Sequence, residues 1–302
     1  MSYEVTLVTD IQMSIEEKLT LDVEQKMAAA LKQWIAPVFS GRAHDLDMSF
    51  FALDSTDILK HHKADVIDAT QKSYTLNIPR EDYMHLAVVN IADNEYVSLS
   101  GTQHSKTMCL EMRKRDTLPS QPTAVYTARL PMKMAQDTTI EKFDVRLYMV
   151  SCAVALVVDS LPESVRNMKA IVSGTATGFM VLDSVFTYDH PSIVRTEQLS
   201  RQCYAAVALP SKGKIKGTDL AKTKAVTQEE QTYWEVRTYV PLKDGTVTET
   251  KLSIQTPLEA GTIEIIRVNI KDNGSAEPLN RMQVGATVTL DWKEGGTHDI
   301  EI

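Results

Sequence analysis

Apolar and polar side chains alternate along most of this chain with a period of two, the spacing that sends successive side chains to opposite faces of an extended strand. Near the start, Val5, Leu7, Thr9, Ile11 and Met13 share one face while Glu4, Thr6, Asp10 and Gln12 take the other, as a half-buried strand requires. The period then changes. Val23, Met27, Ala30, Leu31 and Trp34 recur at helical spacing behind Asp22, a suitable N-cap, with Gln25 placed as its capping-box partner. Pro37 predicts the end of this helix, the only convincing long one in the sequence.

Strand signals follow closely at Leu46 to Leu53, Ile58 to Val66, Tyr74 to Ile78 and Met84 to Ile91. The polar connection Pro79-Arg80-Glu81-Asp82 has hairpin length. Thr102 to Arg115 fits either an alternating strand or one or two helical turns, because Met108, Leu110 and Met112 satisfy both patterns. Beyond Pro119 and Pro122, Tyr126, Ala128, Leu130 and Met132 share a face. The polar segment Gln136 to Glu141 reads as a linker, dividing the chain into residues 1–136 and 137–302.

The second half opens with the longest extended run, Phe143 to Val158. Val145, Leu147 and Met149 lie on one face, and Val150, Cys152, Val154, Leu156 and Val158 on the other. Such a change of buried face predicts a crossing between two sheet environments, or a bulge. Further strands are predicted at Lys169 to Ser173, Val181 to Thr187, Tyr204 to Leu209, Tyr233 to Val240, Val247 to Ile254 and Ile263 to Ile270. At the end, Val284 to Ile302 alternates on both sides of Gly295-Gly296 as a terminal hairpin. Ser211 to Glu230, rich in Lys, Thr, Gln and Glu, reads as a long, mobile surface loop. The spacings suit antiparallel β-sandwiches, and no helical period alternates with the strands as a βαβ series demands. The fold class is therefore all-β with one N-terminal helix, arranged as two tandem antiparallel β-sandwich domains.

Composition narrows the function. With 302 residues, 43% hydrophobic and 24% charged, each half is long enough to bury a core without metal or disulfide staples. A net charge of −8 lacks the clustered excess of Lys and Arg that phosphate contacts need, so nucleic acid is a poor partner. Cys109, Cys152 and Cys203 are an odd set and imply no disulfide framework; Cys152, in an apolar run, reads as a small buried hydrophobe. There is no apolar run of about 18 residues. Met1-Ser2-Tyr3-Glu4 lacks a basic start and a hydrophobic centre, so the chain reads as cytoplasmic or as one whose leader has been removed.

No constellation of residues carries a clear catalytic signal. Ser173-Gly174-Thr175-Ala176-Thr177-Gly178 lacks the Lys-Ser/Thr ending of a phosphate loop and reads as a turn between strands. His61 and His62 are adjacent on a strand, so they point to opposite faces and cannot both hold one metal. Cys109 near His104 has no activating pattern, and Asp54 with Asp57, or Glu229 with Glu230, read as charged loop residues. Asp272-Asn273-Gly274 is a hairpin turn before it is a glycosylation acceptor. No catalytic residue, cofactor site or metal site is assigned, and a hydrolase with an unrecognised site is the weakest alternative. Tyr233 and Tyr239 fall on one strand face with Glu235 and Arg237, a plausible sugar-contact face and equally an ordinary cross-strand packing arrangement.

The opening strand and capped helix, the strand with Phe50 and Phe51, Ile78-Pro79 followed by Tyr83-x-x-Leu86-Ala87-Val88-Val89-Asn90, the run from Arg146-Leu147 to Val158, and the ending Val288-x-Leu290-Asp291-Trp292 together resemble one family. It is the FimB-like fimbrial anchor and accessory proteins of Bacteroidales, and the resemblance covers nearly the whole chain through loose hydrophobic patterns. It implies two transthyretin-like domains in tandem, an exported cell-surface protein held to the outer membrane by a lipidated N-terminal cysteine, and other fimbrial subunits as partners. No such cysteine stands at or before Tyr3, which is the departure from the family pattern. The expected role is non-enzymatic docking through strand edges and loops, with a surface carbohydrate-binding module as the alternative.

Overall fold

In a computed structural model, the described residues are 2–11, 25–39, 45–66, 73–92, 94–113, 117–135, 140–165, 167–211, 232–279 and 284–289. Residues 212–230 of the predicted loop, the N-cap at Asp22 and the terminal turn at Gly295-Gly296 fall outside them. In chain order come β1 (Ser2–Ile11), helix α1 (Gln25–Phe39), β2 (Asp45–Ala52), β3 (Leu59–Val66), β4 (Ser73–Pro79), β5 (Tyr83–Val89), β6 (Val97–Ser100), β7 (Cys109–Met112) and β8 (Tyr126–Met132). The run continues with β9 (Ile140–Met149), β10 (Cys152–Ser160), β11 (Lys169–Ser173), β12 (Gly178–Met180), β13 (Val185–Thr187), β14 (Ile193–Arg195) and β15 (Glu197–Ser200). The last are β16 (Cys203–Ala208), β17 (Trp234–Pro241), β18 (Val247–Ile254), β19 (Ile263–Ile270), β20 (Ala276–Pro278) and β21 (Val284–Thr289).

A seven-stranded sheet has the order β3-β2-β5-β8-β9-β1-β4. Its two parts meet only where Tyr126 and Thr127 pair with Met149 and Tyr148, so the sheet folds over at that seam into two layers. The core between the layers holds Leu46, Met48, Phe50, Tyr83, Ala87 and Val89 from one side and Leu76, Ile78, Val145 and Leu147 from the other, with Leu31, Ile35 and Val38 of α1. The expected hairpin at Pro79 to Asp82 is not one. β4 pairs with β1 while β5 pairs with β2 and β8, so this short connection crosses between layers, a difference its length and polarity cannot reveal. Nor does Pro37 end the helix, which continues to Phe39. The missing N–H falls in the last turn and costs at most one helical bond there.

The run from Phe143 to Val158 crosses sheets where its buried face changes. β9 belongs to the seven-stranded sheet, and β10 lies at the centre of a five-stranded sheet of order β15-β16-β10-β19-β20. That β10 sheet is buried on both faces: Ala153, Ala155 and Val157 pack into the first core, and Cys152, Val154, Leu156 and Val158 into a second. Facing it across the second core is the other five-stranded sheet, β14-β11-β17-β18-β21, whose contribution includes Trp234, Val236, Leu252 and Ile254. Among the described strands two pairings, β1 with β9 and β10 with β19, are parallel, and the other strand pairs are antiparallel. Period-two alternation is the same in both arrangements, so sequence cannot separate them.

A four-stranded sheet, β13-β12-β7-β6, covers the outer face of β2 and β5 over a third core that includes Phe51, Leu86, Val88, Leu110 and Phe179. It resolves the ambiguity at Thr102 to Arg115, where a 3-10 turn at Ser105–Thr107 leads directly into β7. The predicted single strand at Val181 to Thr187 is instead a hairpin of β12 and β13. Because β12 pairs with β7, this sheet stitches the two halves of the chain together. Gly178 makes that pairing possible, since a Cβ there would lie 2.5 Å from Thr187 Oγ1 and 2.9 Å from the Leu110 carbonyl oxygen.

Candidate docking surface

Sheet edges are the first candidates, because an unpaired edge offers free backbone donors and acceptors to an incoming strand. Several are already occupied. Leu118 covers the β14 edge, donating its N–H to Ile193 O at 2.8 Å and accepting from Arg195 N at 2.7 Å. β15 lies beside α1, where Trp34 Nε1 donates to Glu197 Oε2 at 3.0 Å. Among the described residues β3, β4 and β21 each pair on one side only. β3 presents exposed Lys60, His62 and Lys63, the charged decoration that discourages edge pairing. β4 alternates exposed Thr75 and Asn77 with buried Leu76 and Ile78. The N-terminal strand β1 is interior, between β9 and β4, and so offers no free edge.

The second candidate is the outer face of the sheet that contains β17. Tyr239, Glu249, Arg237, Glu235 and Lys251 meet there through the register Tyr239↔Glu249, Arg237↔Lys251 and Glu235↔Ser253. Arg237 lies 3.2 Å from Glu235 Oε2 and 3.7 Å from Glu249 Oε1, and Lys251 closes onto Glu235 Oε1. Burial disfavours the Arg237 charge, but the Glu235 and Glu249 carboxylates outweigh it and hold the guanidinium above its usual range. Tyr239 donates its hydroxyl to Glu249 Oε1 at 3.4 Å; burial and that carboxylate push its phenol up. Tyr233 precedes β17 and packs against the second core, with its backbone N–H donating to Ile254 O at 2.9 Å. The structure thus joins Tyr239 to Glu235 and Arg237 in one network and gives Tyr233 a packing contact.

The other sequence candidates resolve into structural roles. His61 meets the Tyr83 ring edge-on at 5.8 Å, while His62 Nε2 sits 2.8 Å from Asp47 Oδ2, so the two histidines do diverge. Cys109 Sγ donates to Leu110 O at 3.2 Å, and burial raises its thiol pKa, the opposite of an activated nucleophile. Ser173 to Gly178 connects β11 to β12, with Gly174 at φ +84 and Thr175 Oγ1 2.7 Å from Ser192 Oγ. Asp272 to Gly274 turns β19 into β20, Gly274 lying at φ +79 and Asn273 Oδ1 accepting from Ser275 N at 3.1 Å. Asp54 accepts from Thr56 N at 2.8 Å in an exposed turn. Asp57 is buried and accepts from Ser105 N at 3.0 Å, Lys106 N at 3.1 Å and Ser105 Oγ. Glu229 and Glu230 lie outside the described residues. Among those described, no group of three or more His, Cys, Asp or Glu is placed to hold a metal.

Two residues went unnoticed in the sequence. Tyr148 is 57% exposed on β9 beside the seam of the seven-stranded sheet, although the alternation of β9 did place it outward. His85 is fully buried on β5, and nothing in the alternation marks it, since a histidine between Met84 and Leu86 reads as a polar outward position.

No protein-family model matches the sequence, and no curated protein does. Solved structures do match its fold. The fimbrial anchor protein Mfa2 from Porphyromonas gingivalis superposes with a TM-score of 0.51 at 13% identity, covering 96% of this chain and 99% of that one. A proposed polysaccharide-binding protein from Bacteroides thetaiotaomicron gives a TM-score of 0.56 at 8% identity, over 93% and 99% of the two chains. A proposed adhesin from Bacteroides ovatus gives 0.53 at 11% identity, over 87% and 89%. At such identities the likeness is one of fold, and it extends over almost the whole of each chain.

Proposed function

We propose that this chain is a cell-surface fimbrial subunit of the anchor or accessory kind, which joins other fimbrial subunits through sheet edges and loops and turns over no substrate. The observation that carries this reading is the end-to-end fold match to a fimbrial anchor protein. The β4 edge, unpaired on one side among the described residues, supports it, since buried Leu76 and Ile78 already align the strand for pairing while Thr75 and Asn77 stay outward. An added strand completes main-chain hydrogen bonds and buries alternate apolar side chains at roughly 25 cal/mol per Å2. Attachment to the outer membrane through a lipidated cysteine, and a transthyretin-like plan for each half, belong to the same proposal.

The test is cross-linking and pull-down with the fimbrial subunits encoded beside it, repeated with Thr75→Lys and Asn77→Lys, which charge the β4 edge. Association that weakens in both variants supports edge docking. No association with any such subunit refutes the reading.

The division at residues 136 and 137 is also part of the proposal. β9, just beyond that point, hydrogen-bonds within the seven-stranded sheet, and Ala205 and Val207 share a core with Phe50 and Ala87. Cleavage between residues 133 and 140 should therefore leave two fragments that migrate together on a native gel.

Glycan contact is a second reading, favoured by the half-buried Tyr239 held beside Arg237 and Glu249. Calorimetric binding of a polysaccharide that disappears in Tyr239→Ala, with Tyr233→Ala measured alongside, would establish it.

A further inference from the structure

Strand β1 is held on both sides. It pairs antiparallel with β4 from Ser2↔Pro79 to Val8↔Ser73, and parallel with β9 from Glu4↔Ile140 to Ile11↔Leu147. A strand between two ladders commits its backbone groups to one neighbour or the other. Pulled along its own axis, it must strain all of those bonds together. Pulled across its axis, it yields them one after another.

The partner strand β9 then runs into β10 through Val150 and Ser151, and this junction is itself pinned. Val150 N donates to Val125 O at 2.9 Å, and Gly261 N donates to Ser151 O at 2.8 Å. Ser151 Oγ accepts from Val125 N at 3.0 Å and donates to Gln121 Oε1 at 3.0 Å. β10 is paired on both sides, antiparallel with β16 and parallel with β19. Its side chains enter the first core on one face and the second on the other.

We propose that β1 is a shear clamp and that β9 and β10 form one continuous spine that carries tension. Tension that reaches the N-terminal side of β1 passes through the β1–β9 ladder into β9, then along the backbone across the pinned junction into the doubly buried β10 sheet. Only the source of the tension rests on the fimbrial reading; the clamp follows from strand pairing.

Single-molecule pulling tests this on the whole chain. One handle is fixed at the N-terminus and the other through a thiol at Tyr148→Cys or Pro79→Cys, both exposed positions, while the three native cysteines are buried. Tyr148 lies toward the far end of β9, so that geometry pulls β1 along its axis. Pro79 stands directly across from Ser2, so that geometry peels β1 from β4. The expected result is a higher rupture force with Tyr148→Cys than with Pro79→Cys at the same loading rate. Thr6→Pro, which deletes one ladder bond, should raise the rupture rate along the shear axis about fivefold. Equal forces in the two geometries overturn the clamp even where Thr6→Pro fails to fold. Subunit pull-down is unaffected by this outcome, so failure of the clamp and failure of the docking reading are separable.

Discussion

Phe50 and His85 face one another across β2 and β5 with their rings stacked, centroids 4.5 Å apart and planes 20° from parallel. His85 Nδ1 lies 3.2 Å from the Ser49 carbonyl, so that nitrogen carries the proton, and Nε2 has no hydrogen-bond partner among the described residues. Burial lowers the His85 pKa to about 4, against a small opposing effect from the Ser49 bond. On the same face the Tyr83 ring meets Phe50 edge-on at 6.0 Å and His61 meets Tyr83 at 5.8 Å, and neither side chain supplies a negative charge to compensate a proton on His85.

This arrangement makes folding acid-sensitive in a defined window. Between pH 6.5 and about 4 the unfolded chain binds a proton at this histidine that the folded chain refuses, so stability is complete above 6.5 and declines as pH falls. By pH 4 the loss from this one group is about 3 kcal/mol. Chemical denaturation at pH 7 and pH 4.5 should show a smaller drop for His85→Leu than for the native sequence. Equal drops would refute the assignment.

Glycines separate steric from conformational cost. Gly101 has φ +62, and a Cβ there would lie 2.0 Å from the Thr107 carbonyl oxygen. Gly245 has φ +85 with nothing within 4 Å. Gly101→Ala should therefore cost at least ~2 kcal/mol and Gly245→Ala about 1 kcal/mol, compared by thermal unfolding.

Asp57 ties the loop after β2 to the turn before β7 through its contacts with Ser105 and Lys106. Removing the carboxylate strands the Lys106 N–H and the Ser105 hydroxyl, while Ser105 N keeps its bond to the Asp57 backbone carbonyl at 3.2 Å. Asp57→Ala should destabilise by about 2 kcal/mol, and Asp57→Asn by less, since Asn keeps an acceptor and tolerates the positive φ of 58. Urea midpoints decide between them.

All three cysteines are buried and outside any disulfide, and burial raises each thiol, Cys203 to about 11. Thiol reagents should leave the native protein unlabelled at pH 8 and label it at the rate of unfolding. Reductant should not shift its melting temperature.

The amino-acid sequence on its own determined which segments are extended and which face each buries. Lys169 to Ser173, Val247 to Ile254 and Ile263 to Ile270 are strands with the bounds the alternation predicts, and the change of face near Val150 marks the passage between sheets. Those features are local, set by side-chain period and turn chemistry within a few residues. Short strands such as β14, β15 and β20 carry too few residues to show a period, so the sequence passed over them. Partners were decided only by the tertiary structure: β1 parallel to β9, β4 on the layer opposite β5, and β7 paired with β12 of the other half. The candidate surface divided the same way, the period placing Tyr239 beside Arg237 while the packing of Tyr233 and the burial of His85 emerged only in three dimensions. Alternation states that a face is buried, and only the assembled layers state against what.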